Sequence, residues 1–238
     1  EMVFSDLEIL HRRLDKIEYS FKGATHEDRD ALTREQTLLH KVRMGLNNGV
    51  ALKDQQLLPD EIQQISGFGF LSIKPLIVIM NIGEDQIEEK AALEEELAGT
   101  VSGKRVGTAV MCAELEMELV RMDPQDEDAF RKDLGTGESS LSKVVQISYS
   151  VVDRISFFTV GDDEVRAWEI PRGMAAGQAA GKIHTDLERG FIRAEVIPHE
   201  ILVKCGSLGE ARKLGVLRQE GKDYLLKDGD IMHVLFNI

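Results

Sequence analysis

The sequence predicts an α/β plus α+β protein fronted by an antiparallel helical hairpin. Three observations carry this. Leucines and isoleucines recur at helical spacing from Leu7 to Leu46, and two apolar runs near residues 73–80 and 106–112 each lead into a charged helix. The last stretch, roughly 85 residues, breaks into short strand-like segments separated by turns. The expected domains are 1–66 (hairpin), 67–150 (α/β part) and 151–238 (α+β part).

In the hairpin, Leu7, Leu10, Leu14, Ile17 and Phe21 form an apolar stripe along one helix. "KGATHED" interrupts it, with Gly23 as a stop and Thr25 followed by Asp28 as a capping-box-like restart. Leu39, Val42 and Leu46 then resume the spacing, so two long helices pack on each other like a coiled coil.

From Gly67 the character changes. "PLIVIMNIGED" opens with six unbroken apolar residues, Pro75 to Met80, the pattern of a parallel strand covered on both faces. A Glu-rich helix is expected at about 84–98, and "KRVGTAVMCAELEMELV" gives a second buried strand running into a second helix. Two strands are too few for a stable sheet. Together with an opening at Glu1 instead of Met, this predicts a piece of a longer protein. Toward the C-terminus, "ISFFTVG", "EVRAWEI", "GFIRAEVI", "KDYLL" and "DIMHVLFNI" are the expected strands, with helices near "AAGQAAGKI" and "GEARKLG". A small α+β domain such as a β-grasp fits them.

The net charge is −13, and residues 84–138 hold most of it: 16 acidic against 6 basic residues leave −10. Bulk attraction to nucleic acid is excluded and no DNA partner is expected, but local basic patches elsewhere stay open. No apolar run reaches the roughly 18 residues that span a membrane, and no secretory leader opens the chain. Cys112 and Cys205 lie far apart without metal-ligand spacing, so reduced thiols in a cytoplasm are expected.

Ligands of α/β sheets sit outside the carboxyl ends of the strands. Asn81, Ile82 and Glu84 occupy such an end, and Cys112 and Ala113 occupy the next. An Asn amide can bond both N7 and N6 of adenine. The plainer alternative is that Asn81 turns the chain and Glu84 sits in a helical first turn, where an acid is favourable. Elsewhere, His184-Thr185-Asp186 is either an acid–base pair or a capped turn, with Thr185 or Asp186 as the cap. Trp168 reads as core or a face contact, and Glu94-Glu95-Glu96 as a solvated face. Arg212, Lys213, Arg218 and Lys222 form the densest basic group of the C-terminal part, either plain surface or a possible RNA contact.

Several of these stretches resemble the YchF, or Obg-like ATPase, family. "NIGE" is similar to the family's Asn-x-x-Glu, which stands where most GTPases carry Asn-Lys-x-Asp, and "CAELE" to its Ser/Cys-Ala turn. "FFTVGDDEVRAWEIPRGMAAGQAAGKIHTDLERGFIRAEVI" and "EGKDYLLKDGDIMHVLFNI" resemble its TGS domain, and "VFSDLEILHRRLDKIE" the start of its helical insertion. The resemblance implies a partial P-loop NTPase sheet between hairpin and TGS domain. It also implies ATP, or GTP less well, with Mg²⁺ in the intact protein, and ribosome or ribosomal RNA as partner. Asn81, Ile82 and Glu84 would meet the base, Ile82 by apolar contact or through its backbone.

The family's phosphate loop and Mg²⁺ ligands have no counterpart in this sequence. The near-match from Gly99 to Arg105 has three residues between its glycines instead of four, and Arg105 in place of the Ser or Thr that reaches Mg²⁺. It also precedes a strand. No catalytic residue is therefore assigned, and the chain alone is expected to be inactive. The rival reading is a non-enzymatic adaptor that binds ribosome or protein partners through the hairpin and the TGS domain.

Overall fold

The computed structural model of the chain describes residues 1–101, 103–134, 138–161 and 164–237. They divide into two compact units, Glu1–Val151 and Val152–Ile238.

The first unit begins with α1 (Met2–Ser20) and α2 (His26–Asn47). Thr25 caps α2 as its spacing predicts: its hydroxyl accepts from the Asp28 amide at 3.3 Å and donates to the Asp28 carboxylate at 2.7 Å. Leu10, Leu14 and Ile17 interlock with Leu39, Val42 and Leu46, and all six are buried. A bidentate Arg13–Glu35 pair at 2.6 and 2.8 Å crosses between the helices outside this seam. After Gly49, in the left-handed region at φ 75°, come a 3-10 turn at Leu52–Asp54, α3 (Pro59–Ile65) and a second 3-10 turn at Ser66–Phe68. Leu52, Ile65 and Phe70 join the hairpin core, so the boundary expected at residue 66 falls inside packed structure. Asp6 makes the junction tighter. Its wholly buried carboxylate accepts from the Leu71 and Ser72 amides at 2.7 and 2.8 Å.

The chain then runs through β1 (Leu76–Asn81), a 3-10 segment (Glu84–Glu89), α4 (Lys90–Thr100), β2 (Val106–Met111), α5 (Ala113–Leu119), α6 (Pro124–Asp133) and α7 (Ser140–Val151). β1 and β2 pair in parallel from Leu76↔Val106 to Asn81↔Met111. The helix expected from residue 84 starts as 3-10, a common tightening at helix N-termini. β1 is not covered on both faces: Ile79 is 45% exposed. One face packs on a core of Ile82, Leu97, Val110, Cys112, Leu115 and Leu119. On the other, Ile79, Met111, Met117, Val120 and Leu141 line an open apolar cleft of about 490 Å³. α7 covers one end of this second face, where Ile147 and Val151 close on Gly107 of β2, and leaves the other end open. Glu94 also departs from expectation, since it accepts from Lys143 at 2.6 Å.

The second unit holds β3 (Arg154–Val160), β4 (Val165–Pro171), α8 (Ala176–Ile183), α9 (Thr185–Arg189), β5 (Phe191–Pro198), α10 (His199–Cys205), α11 (Leu208–Lys213), β6 (Arg218–Glu220) and β7 (Asp230–Phe236). The sheet order is β4-β3-β7-β5-β6, with β3 and β7 parallel and the other pairs antiparallel. This is a β-grasp arrangement. α8 packs Ala176 and Ala179 against Ile155, Phe157, Val196 and Met232, and Ala211 of α11 packs with Ile197 and Ile231 in a separate core.

"KDYLL" is not a strand. The Lys222 and Tyr224 carbonyls accept from the Gly177 and Ala176 amides at 3.0 and 2.8 Å, satisfying donors that the first turn of α8 leaves open. The fourth strand in chain order of this unit is instead the short β6.

Candidate functional site

The two loops singled out at the strand ends meet. Asn81 closes β1, and its side-chain oxygen accepts from the Ala113 amide at 3.0 Å. Only the oxygen can face an N–H, so this bond fixes the orientation of the amide. It leaves the Asn81 NH₂ group as a donor for an acceptor such as adenine N7. Ala113 opens α5, whose first amides have no partner within the helix. Asn81 thus ties the β1 loop to the start of α5.

The neighbouring residues divide by burial. Ile82 is 6% exposed, its side chain lies in the core beside Val110 and Leu119, and its amide donates to the Met111 carbonyl at 2.9 Å. Side-chain contact between Ile82 and a base is therefore not available in this geometry. Glu84 is exposed in the first turn of the 3-10 segment. The return bond to the Gly83 amide comes from Gln86 at 3.3 Å, so the Glu84 carboxylate is not spent on capping. Cys112 is buried as the residue before α5.

A network that composition alone did not single out braces α5. Arg131 of α6 makes a bidentate pair with Glu116 at 3.1 and 2.8 Å and a further bond to Glu127 at 2.9 Å. The Ser140 amide at the start of α7 donates to the same Glu116 at 3.2 Å. Burial would push the Glu116 carboxyl up, but Arg131 and Ser140 outweigh it and hold it at about 2. The i, i+4 spacing of Glu127 and Arg131 was the available signal.

Known proteins resemble the chain over its whole length. A family profile named YchF-GTPase_C, described as a protein of unknown function (DUF933), matches residues 154–237. The ribosome-binding ATPase YchF of Escherichia coli O157:H7 is 36% identical over 239 residues, covering 100% of this chain and 64% of its own length. Its namesake from Bacillus subtilis (strain 168) is 31% identical over 240 residues with the same coverages. The structure of the Schizosaccharomyces pombe YchF GTPase superposes with a TM-score of 0.78 at 26% identity, over 99% of this chain and 63% of that one. The chain resembles the YchF proteins from end to end. A GTP-binding protein from Pyrococcus horikoshii OT3, with a TM-score of 0.51 at 17% identity over 100% of this chain and 69% of that one, shares the fold alone. The chain spans about 64% of the length of the YchF relatives named here.

The near-match at Gly99–Arg105 does run into a strand, β2; its Ser102 lies outside the described residues. His184 caps α9 itself, its Nδ1 accepting from the Asp186 amide at 3.2 Å, so the cap is His184 and neither Thr185 nor Asp186. Trp168 is partly buried, donates to Thr159 at 3.0 Å and carries the Arg166 guanidinium 4.2 Å above its ring.

The basic group is partly neutralised. Arg212 donates to Glu195 at 2.6 Å, Lys213 to Glu210 at 3.1 Å, and Arg218 to the Tyr224 hydroxyl at 3.0 Å. Tyr224 in turn donates to the buried Asp230 at 2.9 Å. Burial, then the bond to Asp230, raises the Tyr224 hydroxyl, against the opposing pull of Arg218. Lys222 stands apart, its backbone committed to α8.

Proposed function

We propose that this chain supplies the base-binding half of the nucleotide site in a YchF-type protein that binds and hydrolyses ATP, GTP less well, and associates with the ribosome. The observation that carries the reading is the Asn81–Ala113 bond, which joins two loops at the carboxyl ends of adjacent parallel strands. The names of the relatives, ribosome-binding ATPase in two cases and GTPase in another, support nucleotide and ribosome as partners.

The adenine preference rests on Glu84. In an Asn-Lys-x-Asp loop, the Asp accepts from guanine N1–H and the 2-amino group, and adenine offers neither donor. The longer Glu84 weakens that selection. The chain's own part is then to orient the base through the Asn81 NH₂ group and the loop backbone. Among the described residues, no three His, Cys, Asp or Glu side chains converge to hold a metal ion.

Glu84→Asp tests the reading in the protein completed to the length of its relatives. GTP affinity should rise relative to ATP by about 1–3 kcal/mol, read by calorimetry. Because Ile82 is core, a Lys at that position would measure destabilisation instead of selectivity. An unmoved ATP:GTP ratio removes the base-reading role from this loop.

A further inference from the structure

A second cleft, of about 570 Å³, opens on the face of the C-terminal sheet that α10 and α11 partly cover. This is the size range of small-molecule sites, roughly 300–1,000 Å³. Its floor spans two adjacent strands, where Glu195 of β5 and His233 of β7 are antiparallel partners. Val160, Leu202 and Leu208 form apolar walls, and Arg212 of α11 reaches in from the side.

Glu195 is unusual in this setting. It is 9% exposed, and among the described residues only its Oε2 is engaged, by Arg212. A largely buried carboxylate with an oxygen to spare favours a ligand that donates hydrogen bonds. His233 is exposed beside it, a flat ring for a flat ligand. Around the cleft, Arg193, two residues along β5 and so on the same face, joins Arg212 and Lys213. These three cations gather beside the carboxylates Glu195 and Glu210, while Glu164 stands at the rim, its carbonyl accepting from the Gly161 amide at 2.8 Å. Arg193 and Arg212 offer N–H donors to an anionic group of a ligand.

We propose that this cleft binds one nucleotide whose base carries an exocyclic amine, the amine donating to Glu195 Oε1 and the phosphate resting against Arg193 and Arg212. The nucleotide is either free or part of single-stranded RNA; the RNA source rests on the ribosome-associated reading above, and the free source does not. Adenine and cytosine present an amine where uracil presents a carbonyl oxygen. Uracil would set that oxygen against the carboxylate, so the cleft discriminates against it.

Amide spectra of the 238-residue chain, titrated with AMP, CMP, UMP and adenosine or uridine tetranucleotides, test this. AMP and CMP should shift the Glu195, Ser207 and His233 amides, with UMP about tenfold weaker. Glu195→Gln should bring AMP and CMP down to the UMP level while the thermal melt holds. If that variant fails to fold, the AMP-over-UMP preference of the unaltered chain decides alone. Tighter binding of the adenosine tetranucleotide assigns RNA as the source, and mononucleotide binding without that gain assigns the free nucleotide. Equal affinity for AMP and UMP, a preference that survives Glu195→Gln, or no shift with any of these probes overturns the proposal. Loss of ribosome association with AMP binding intact would count against the ribosome reading only.

Discussion

Ile82 stands between Asn81 and Glu84, whose side chains reach solvent, yet its own is packed with Leu97, Val110 and Leu119. The sequence places all three residues at one strand end, because an apolar run followed by Asn and Gly marks where a strand stops. It does not reveal which of them face inward, since that depends on how the strand end twists over α5. Nor does it foresee that Asn81 spends its oxygen on Ala113, a bond across 32 positions of the chain. Glu116 behaves similarly: an unremarked acid in an acidic stretch becomes the centre of a bonded cluster. Its folded carboxyl titrates at about 2 against an ordinary 4.5. A depressed value means its contribution to stability is complete above about 4.5 and is lost as pH falls through about 2. Glu116→Gln should therefore cost about 1–3 kcal/mol at neutral pH. In denaturant melts, the gap between the two proteins should narrow as pH drops below about 4.5. A gap of constant size down to about pH 3 would mean that the ionised carboxylate is not what holds α5, α6 and α7 together.

At the scale of elements, periodicity was a good guide where an element buries one face and a poor one where the backbone serves another element. The hairpin helices, β1, β2, β3, β4, β5 and β7 lie where their apolar spacing puts them. Residues 222–226 carry a similar short apolar run, Tyr224-Leu225-Leu226, and Leu226 is indeed buried. Their carbonyls, however, close the open end of α8, and no local pattern announces a hydrogen-bond partner some 45 residues away. Gly190 marks a similar closure at the start of β5. The Asn237 amide donates to its carbonyl at 2.9 Å, and a Cβ at this position would run into the Asn237 carbonyl oxygen. Backbone cannot move aside as a side-chain tip can. Gly190→Ala should lower the stability of the C-terminal unit by about 1–3 kcal/mol in a thermal or denaturant melt. Gly221→Ala is the control, since its added methyl would meet nothing within 4 Å. Equal effects from the two changes would show that the β5–β7 end is looser than its bonding implies.

For the whole molecule, the acidic balance and the partial sheet were legible from composition and strand count, and the family from the collinear motifs. The packing of hairpin and sheet segments into one unit was not; one of its ties is Asp6, a single acid in the first helix. That carboxylate holds the Leu71 and Ser72 amides across 65 and 66 positions of the chain. Its consequence is temporal as well as spatial. An amide whose acceptor belongs to a distant helix exchanges its hydrogen with water only when that helix lifts away. Leu71 and Ser72 are thus built-in clocks for opening at the base of the hairpin, readable by hydrogen–deuterium exchange without any label. Asp6→Ala should make both run fast while the amides of β1 that pair with β2 keep their slow rate. If all of them accelerate together, the hairpin and the sheet open as one body, and there is a single clock for the unit.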